Sequence, residues 1–198
     1  MSVVQNSKQK QIVETARTLF WKYGMNRVSV EEICREARVS KMTFYHYYRN
    51  KNDLVMAILD LIKDEGMKKY KDIMNQDIPF TEKVRLSIQL KMEQTQDLSS
   101  EFFNDLNKNA SPEITSYFQN IFEESVQLIL NDYLQAQQCG DIRKDIKPEF
   151  ILYFLNRMIN MANDNSLLKL YNSPQEMILE LTNFFFYGIL PRVEHNDV

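Results

Sequence analysis

Residues 29–54 read SVEEICREARVSKMTFYHYYRNKNDL. Ser29 followed three residues later by Glu32 has the form of a capping box, with hydroxyl and carboxylate each satisfying a backbone N–H that the helix leaves unpaired. A helix is therefore predicted from about Val30. Val30, Ile33, Cys34 and Ala37 recur at the i, i+3, i+4, i+7 spacing of one apolar face, so this short helix lies on a core. Ser40 is the next good N-cap, and Lys41 to Tyr48 behind it form a second short helix rich in aromatic and hydrogen-bonding side chains. Asn50 caps a third helix that opens at Lys51. Two short helices joined by a tight corner, the second basic at its start, make a helix-turn-helix, the arrangement that lays its second helix in the major groove of DNA.

Working outward, Ile12, Ala16, Leu19, Phe20 and Tyr23 put one apolar face on a first helix over residues 7–23, with Gly24 as its C′ residue. Trp21 lies beside that face and reads as a packing residue. The head closes around Phe20, Val28, Val30, Ile33, Val39, Phe44 and Tyr48; a core that small is marginal alone, so it should lean on the helices C-terminal to it. Its charge is lopsided. Residues 1–55 carry ten Lys/Arg and five Asp/Glu, a balance of +5, and the whole chain is at −3, so the remainder is −3 − 5 = −8. A basic head on an acidic body is the electrostatic footprint of a chain that holds a polyanion by one end.

Beyond the head the pattern is helical throughout. A long helix is expected from Lys51 to about Met74, apolar nearly all round at first and then polar after Gly66, which marks a bend or a close approach. Helices continue over about 80–94 and 100–106. Ser111-Pro112 and Ser173-Pro174 are start signals, an N-cap followed by Pro at N1, and Pro148 opens another helix after the polar link 141–147. Only 4 Gly and 5 Pro in 198 residues, with no Asn-Gly or Asp-Gly pair, argue against β structure. The expected fold is all-α, with about nine helices: a three-helix helix-turn-helix DNA-binding domain over 1–50, then a larger helical effector-binding and dimerisation domain over 51–198.

These residues resemble the N-terminal domain of TetR-type transcriptional regulators. The likeness covers about residues 10–54, through Ile12, Ala16, Leu19, Phe20 and Gly24, then Ser29, Val30, Ile33 and Ala37, then Val39-Ser40-Lys41, Thr43 to Tyr48, and Lys51 with Leu54. The chain departs from that pattern where Arg38 and Met42 stand in place of Gly. Arg38 puts a side chain into a turn that often wants a positive φ, and Met42 brings its own side chain to the start of the reading helix. The resemblance implies a DNA-binding regulator. Lys41, Met42, Thr43 and Tyr45 are expected to choose sequence. Tyr45 and His46 are placed to donate to phosphates, and Ser29 and Lys51, at helix N-termini, are further phosphate candidates.

The last two helices are too apolar to have one exposed side each, which leaves them either core in a nine-helix monomer or an interface; the resemblance implies that they pair with their copies in a homodimer that matches a palindromic double-stranded DNA operator. An effector pocket is expected in the body among Met67, Met92, Phe102, Phe103, Tyr117, Phe118, Phe122, Tyr153, Phe154 and Met158, which supply more aromatic and flexible apolar surface than a minimal core needs. The resemblance implies that a small apolar or aromatic ligand shifts the Lys51 helix and lowers DNA affinity. The alternative is a similar DNA-binding protein that answers to a protein partner or to no ligand.

Enzyme chemistry finds no support. His46 and His195 are the only histidines, and there is neither a nucleophile motif, nor Glu-x-x-His, nor a glycine-rich phosphate loop. No catalytic residue, cofactor or metal site is expected; Cys34 and Cys139 stand apart in different helical patterns and read as small buried or half-buried apolar residues. With no run of 18 apolar residues and no signal peptide, the expected location is cytoplasmic, without membrane contact.

Overall fold

The computed structural model describes residues 7–162 and 164–191, except the side chains of Ile159, Ala162 and Asn165. His195, and the inward roles read for Ile159 and Ala162, lie outside the described residues. The fold is all-α: α1 Ser7–Tyr23, α2 Val30–Glu36, α3 Lys41–Tyr47, α4 Lys51–Met74, α5 Phe80–Thr95, α6 Ser100–Asn107, α7 Pro112–Cys139, α8 Pro148–Ala162, α9 Asn165–Leu168 and α10 Pro174–Ile189. The start signals act as read: Ser173 Oγ accepts from Glu176 N at 3.2 Å, and Pro174 takes the first turn, where its missing N–H costs nothing. Among the described residues no helix is long and apolar enough to cross a membrane.

Two compact units divide the chain. One takes residues up to Asp64 together with Asp97–Ile121; the other takes Glu65–Gln96 and the residues from Phe122 on. The boundary expected at 50/51 falls inside the first unit, because the opening turns of α4, all of α6 and the start of α7 share the head's core. Ile12, Ala16, Phe20, Val28, Ile33, Phe44, Leu54, Ile58, Phe102 and Ile114 form one buried cluster. Trp21 packs as expected, its ring stacked on Phe102 at 4.3 Å. At Gly24 (φ +82°) a Cβ would meet Asp105 Oδ2 at 2.6 Å. That carboxylate accepts from Asn26 N and Asn26 Nδ2, both at 2.8 Å, so α6 clamps the α1–α2 loop.

In the second unit α10 packs on α5 and α8. Phe80, Val84, Tyr133, Ala136, Ile142, Ile151, Phe185, Phe186 and Ile189 form its buried cluster. The 141–147 link is tied down rather than merely polar. Ile142 is buried, Arg143 N donates to Ile189 O at 3.0 Å, and Gln137 Nε2 donates to Arg143 O at 3.0 Å and Ile146 O at 2.8 Å. Gly66 proves to be a close approach: a Cβ there would stand 2.6 Å from Gln94 Nε2. Cys34 is buried, as read, while Cys139 is exposed in the last turn of α7, where its neighbours are polar.

Candidate nucleic-acid interface

The cap at Ser29 forms only on its hydroxyl side. Ser29 Oγ accepts from Glu32 N at 3.1 Å, while the Glu32 carboxylate does not return to the Ser29 backbone. At the other end of α2, Ala37 N donates to Ile33 O at 2.9 Å and Val39 N to Cys34 O at 3.0 Å, around Arg38 in the left-handed region at φ +53°. Glycine holds that conformation without strain; for a residue with a Cβ the cost is roughly 1–2 kcal/mol. The corner keeps the shape that the sequence pattern asks for, with a cationic side chain standing on it.

Ser40 then caps α3, accepting from Thr43 N at 3.0 Å, and the Ser40 and Thr43 hydroxyls lie 2.9 Å apart. Phe44 is fully buried and Tyr48 nearly so, with ring centroids 5.9 Å apart, and these two aromatics fix how α3 is rolled on the core. The roll leaves the other side bare. Met42 is 85% exposed and Tyr45 53%, Lys41 and His46 are also exposed, and Thr43 is half-buried. Lys41 is paired with Glu31 on α2. Its ammonium holds the Glu31 carboxyl below the usual range and is itself raised by that bond. An exposed pair of this kind is weak and salt-screened, so the lysine can exchange Glu31 for a phosphate or a base edge.

Lys51 is placed differently from the sequence reading. Its ammonium is turned inward, donating to Met25 O at 2.8 Å, Val28 O at 3.1 Å and Asn26 O at 3.5 Å, and burial lowers its pKa. It ties the α1–α2 loop to the start of α4, with its charge turned to those carbonyls. The start of α4 is finished by Asn50 Oδ1, accepting from Asp53 N at 2.9 Å, and by Arg49, whose Nε and Nη2 donate to Asp53 at 2.7 and 2.9 Å. Arg49, exposed at this corner, was not singled out by motif reading, and its position one residue before the Asn50 cap was the available signal. We therefore expect Lys51→Met to lower the melting temperature and DNA affinity together while leaving the salt dependence of binding intact. A salt slope smaller by about one unit would return the ammonium to a phosphate.

Residues 12–58 match the profile of the family described as bacterial regulatory proteins, tetR family. That stretch is similar to the family's DNA-binding domain. Outside the TetR head, resemblance is thinner. The uncharacterized HTH-type transcriptional regulator YuxN of Bacillus subtilis (strain 168) is 41% identical over 58 residues, which is 29% of this chain and only 20% of YuxN's own length. YdgC, an uncharacterized HTH-type regulator from the same organism, is 23% identical over 195 residues, covering 96% of this chain and 95% of YdgC. Among solved structures, the transcriptional regulator FadR from Bacillus subtilis in complex with stearoyl-CoA superposes with a TM-score of 0.68 at 14% identity, covering 91% of this chain and 98% of that one. At that identity the likeness speaks for the TetR fold alone.

The ten side chains expected to line an effector pocket are distributed over both compact units. Phe102 and Phe103 are buried and Phe118 packs half-buried in the first unit, where Tyr117 also donates to Asp60 Oδ2 at 2.7 Å. Met67, Met92, Phe122, Tyr153, Phe154 and Met158 fall in the second. There Phe154 and Met158 pack against the core, Met67 and Phe122 are half-buried, and Met92 and Tyr153 are exposed. Phe102 serves as the platform for Trp21, a packing role that composition could not separate from a lining one.

Proposed function

We propose that this protein is a TetR-type dimeric transcriptional regulator, acting as a repressor, that grips a palindromic operator with two copies of the α2–α3 head. The observation that carries this reading is the two-sidedness of α3. Phe44 and Tyr48 anchor it, and Lys41, Met42, Tyr45 and His46 stand in solvent on a head whose balance is +5. Lys41, Met42, Thr43 and Tyr45 read base edges; Tyr45, His46 and the Ser29 end of α2 meet phosphates. The dimer forms through α8 and α10, which carry exposed Phe150, Tyr153, Phe184 and Tyr187 beside an apolar groove.

A small, largely apolar effector releases the operator. It does so by binding the DNA-free conformation more tightly than the DNA-bound one, shifting α4, which contributes residues to both compact units. The FadR structure holds an acyl-CoA on the same fold, which supports a ligand with an apolar body. Sequencing the fragments retained by the purified protein from a random duplex pool tests the DNA reading. An inverted repeat with half-sites about one helical turn apart is expected. Retention of no duplex in dilute buffer would overturn it, and operator release across a metabolite set tests the effector.

A further inference from the structure

Among the described residues up to Asp64, the large apolar side chains left exposed are Met42, at 85%, and Tyr45, at 53%. They fall at i and i+3 on α3, so they are neighbours on one face. Met42 lies two residues before Phe44, which at 3.6 residues per turn puts it nearly opposite that buried ring. The packing that fixes α3 therefore holds the methionine as far from the core as the helix allows. His46 stands exposed on its other flank, and α3 carries no acidic side chain to repel a polyanion.

The polar groups beside Met42 are already engaged. The Thr43 hydroxyl lies 2.9 Å from Ser40 Oγ, inside the cap, and the Lys41 ammonium is paired with Glu31. Met42 itself has no proton to donate, and its thioether is a weak acceptor. In the major groove guanine shows two acceptors, adenine an acceptor and a donor, and cytosine a donor. Covering any of these with a methionine strips water from a polar atom and returns no hydrogen bond, which is costly. Thymine differs, because beside its acceptor it carries an apolar C5-methyl group that gains by being covered.

We propose that Met42 selects thymine in each operator half-site, packing its thioether and terminal methyl on the C5-methyl of the base. This rests on the reading that α3 enters the major groove. The test starts from the operator recovered by fragment selection. Each thymine is replaced in turn by deoxyuridine in both half-sites, which removes the methyl group and leaves the hydrogen-bonding edge intact. Binding anisotropy is then measured with the full-length wild type and with Met42→Ala, which draws the apolar tip back to the backbone. At the contacted position uracil should weaken the wild type by about fourfold per half-site, the worth of one buried methyl. The same duplex should cost Met42→Ala nothing. At that position 5-methylcytosine should bind the wild type better than cytosine by a similar factor. If no uracil weakens the wild type, or if every uracil weakens Met42→Ala as much, the methionine does not select thymine. Those outcomes leave operator binding itself standing, whereas retention of no duplex at all removes the DNA reading and this inference with it.

Discussion

Replacing Phe184 by glutamate is expected to leave the chain folded, to dissolve the dimer proposed above and to lower its operator affinity by about 100-fold or more. α10 has two apolar faces. Met177, Phe185, Phe186 and Ile189 are buried in the second unit, whereas Phe184 is 72% and Tyr187 67% exposed. Phe184 stacks on Phe154 at 6.4 Å, and with Phe150 and Gly188 these two border the apolar groove. A contiguous aromatic surface of this kind is a partner surface. In a two-fold interface each substitution appears twice, so two carboxylates would lose their water at the contact. The side chain points outward, so the core should not notice. Two heads held on one body raise each other's effective concentration, and a single head loses that gain. Sedimentation velocity, melting temperature and binding anisotropy on one sample check this; a Phe184→Glu protein that stays dimeric rejects α10 as the interface.

Phe44→Ala should remove DNA binding by a different route. Phe44 is fully buried in the head, touching Tyr45 and Tyr48 by ring contacts of 5.3 and 5.9 Å. Deleting a buried phenylalanine ring costs about 3–5 kcal/mol, a large share of what a small domain has in reserve. α3 would then lose its fixed roll, and the first unit should melt well below the wild type. Met42→Ala supplies the contrast. With the side chain in solvent, stability should change by no more than about 0.5 kcal/mol, while the preferred operator bases change. If Met42→Ala kept the wild-type preference in a retained-fragment experiment, methionine would not be reading sequence.

The helices were legible because their ends are written locally. Ser40, Ser173-Pro174 and Pro148 act through the first turn of the helix they open, and the apolar spacing behind them repeats within a few residues. The two-sided α3 came from the same periodicity. α9 was missed because four residues hold no period. The placement of Lys51 was also invisible, because a lysine at a helix start serves a phosphate or a loop carbonyl equally well in one dimension. The expected effector lining overreached for a related reason: an aromatic count does not tell Phe102, stacked under Trp21, from a residue facing a ligand.

The Asp105 clamp on Asn26 bears on how such proteins can be recombined. A chimera cut at residue 50 would carry Gly24, Asn26 and Trp21 away from the carboxylate and ring that hold them, and would set them against a foreign helix with a different shape. Specificity transplanted in that way should arrive with a loosened grip. Moving residues 97–121 along with the first 64 keeps lock and key from the same source, so exchange of operator preference between relatives is a discontinuous graft of two segments.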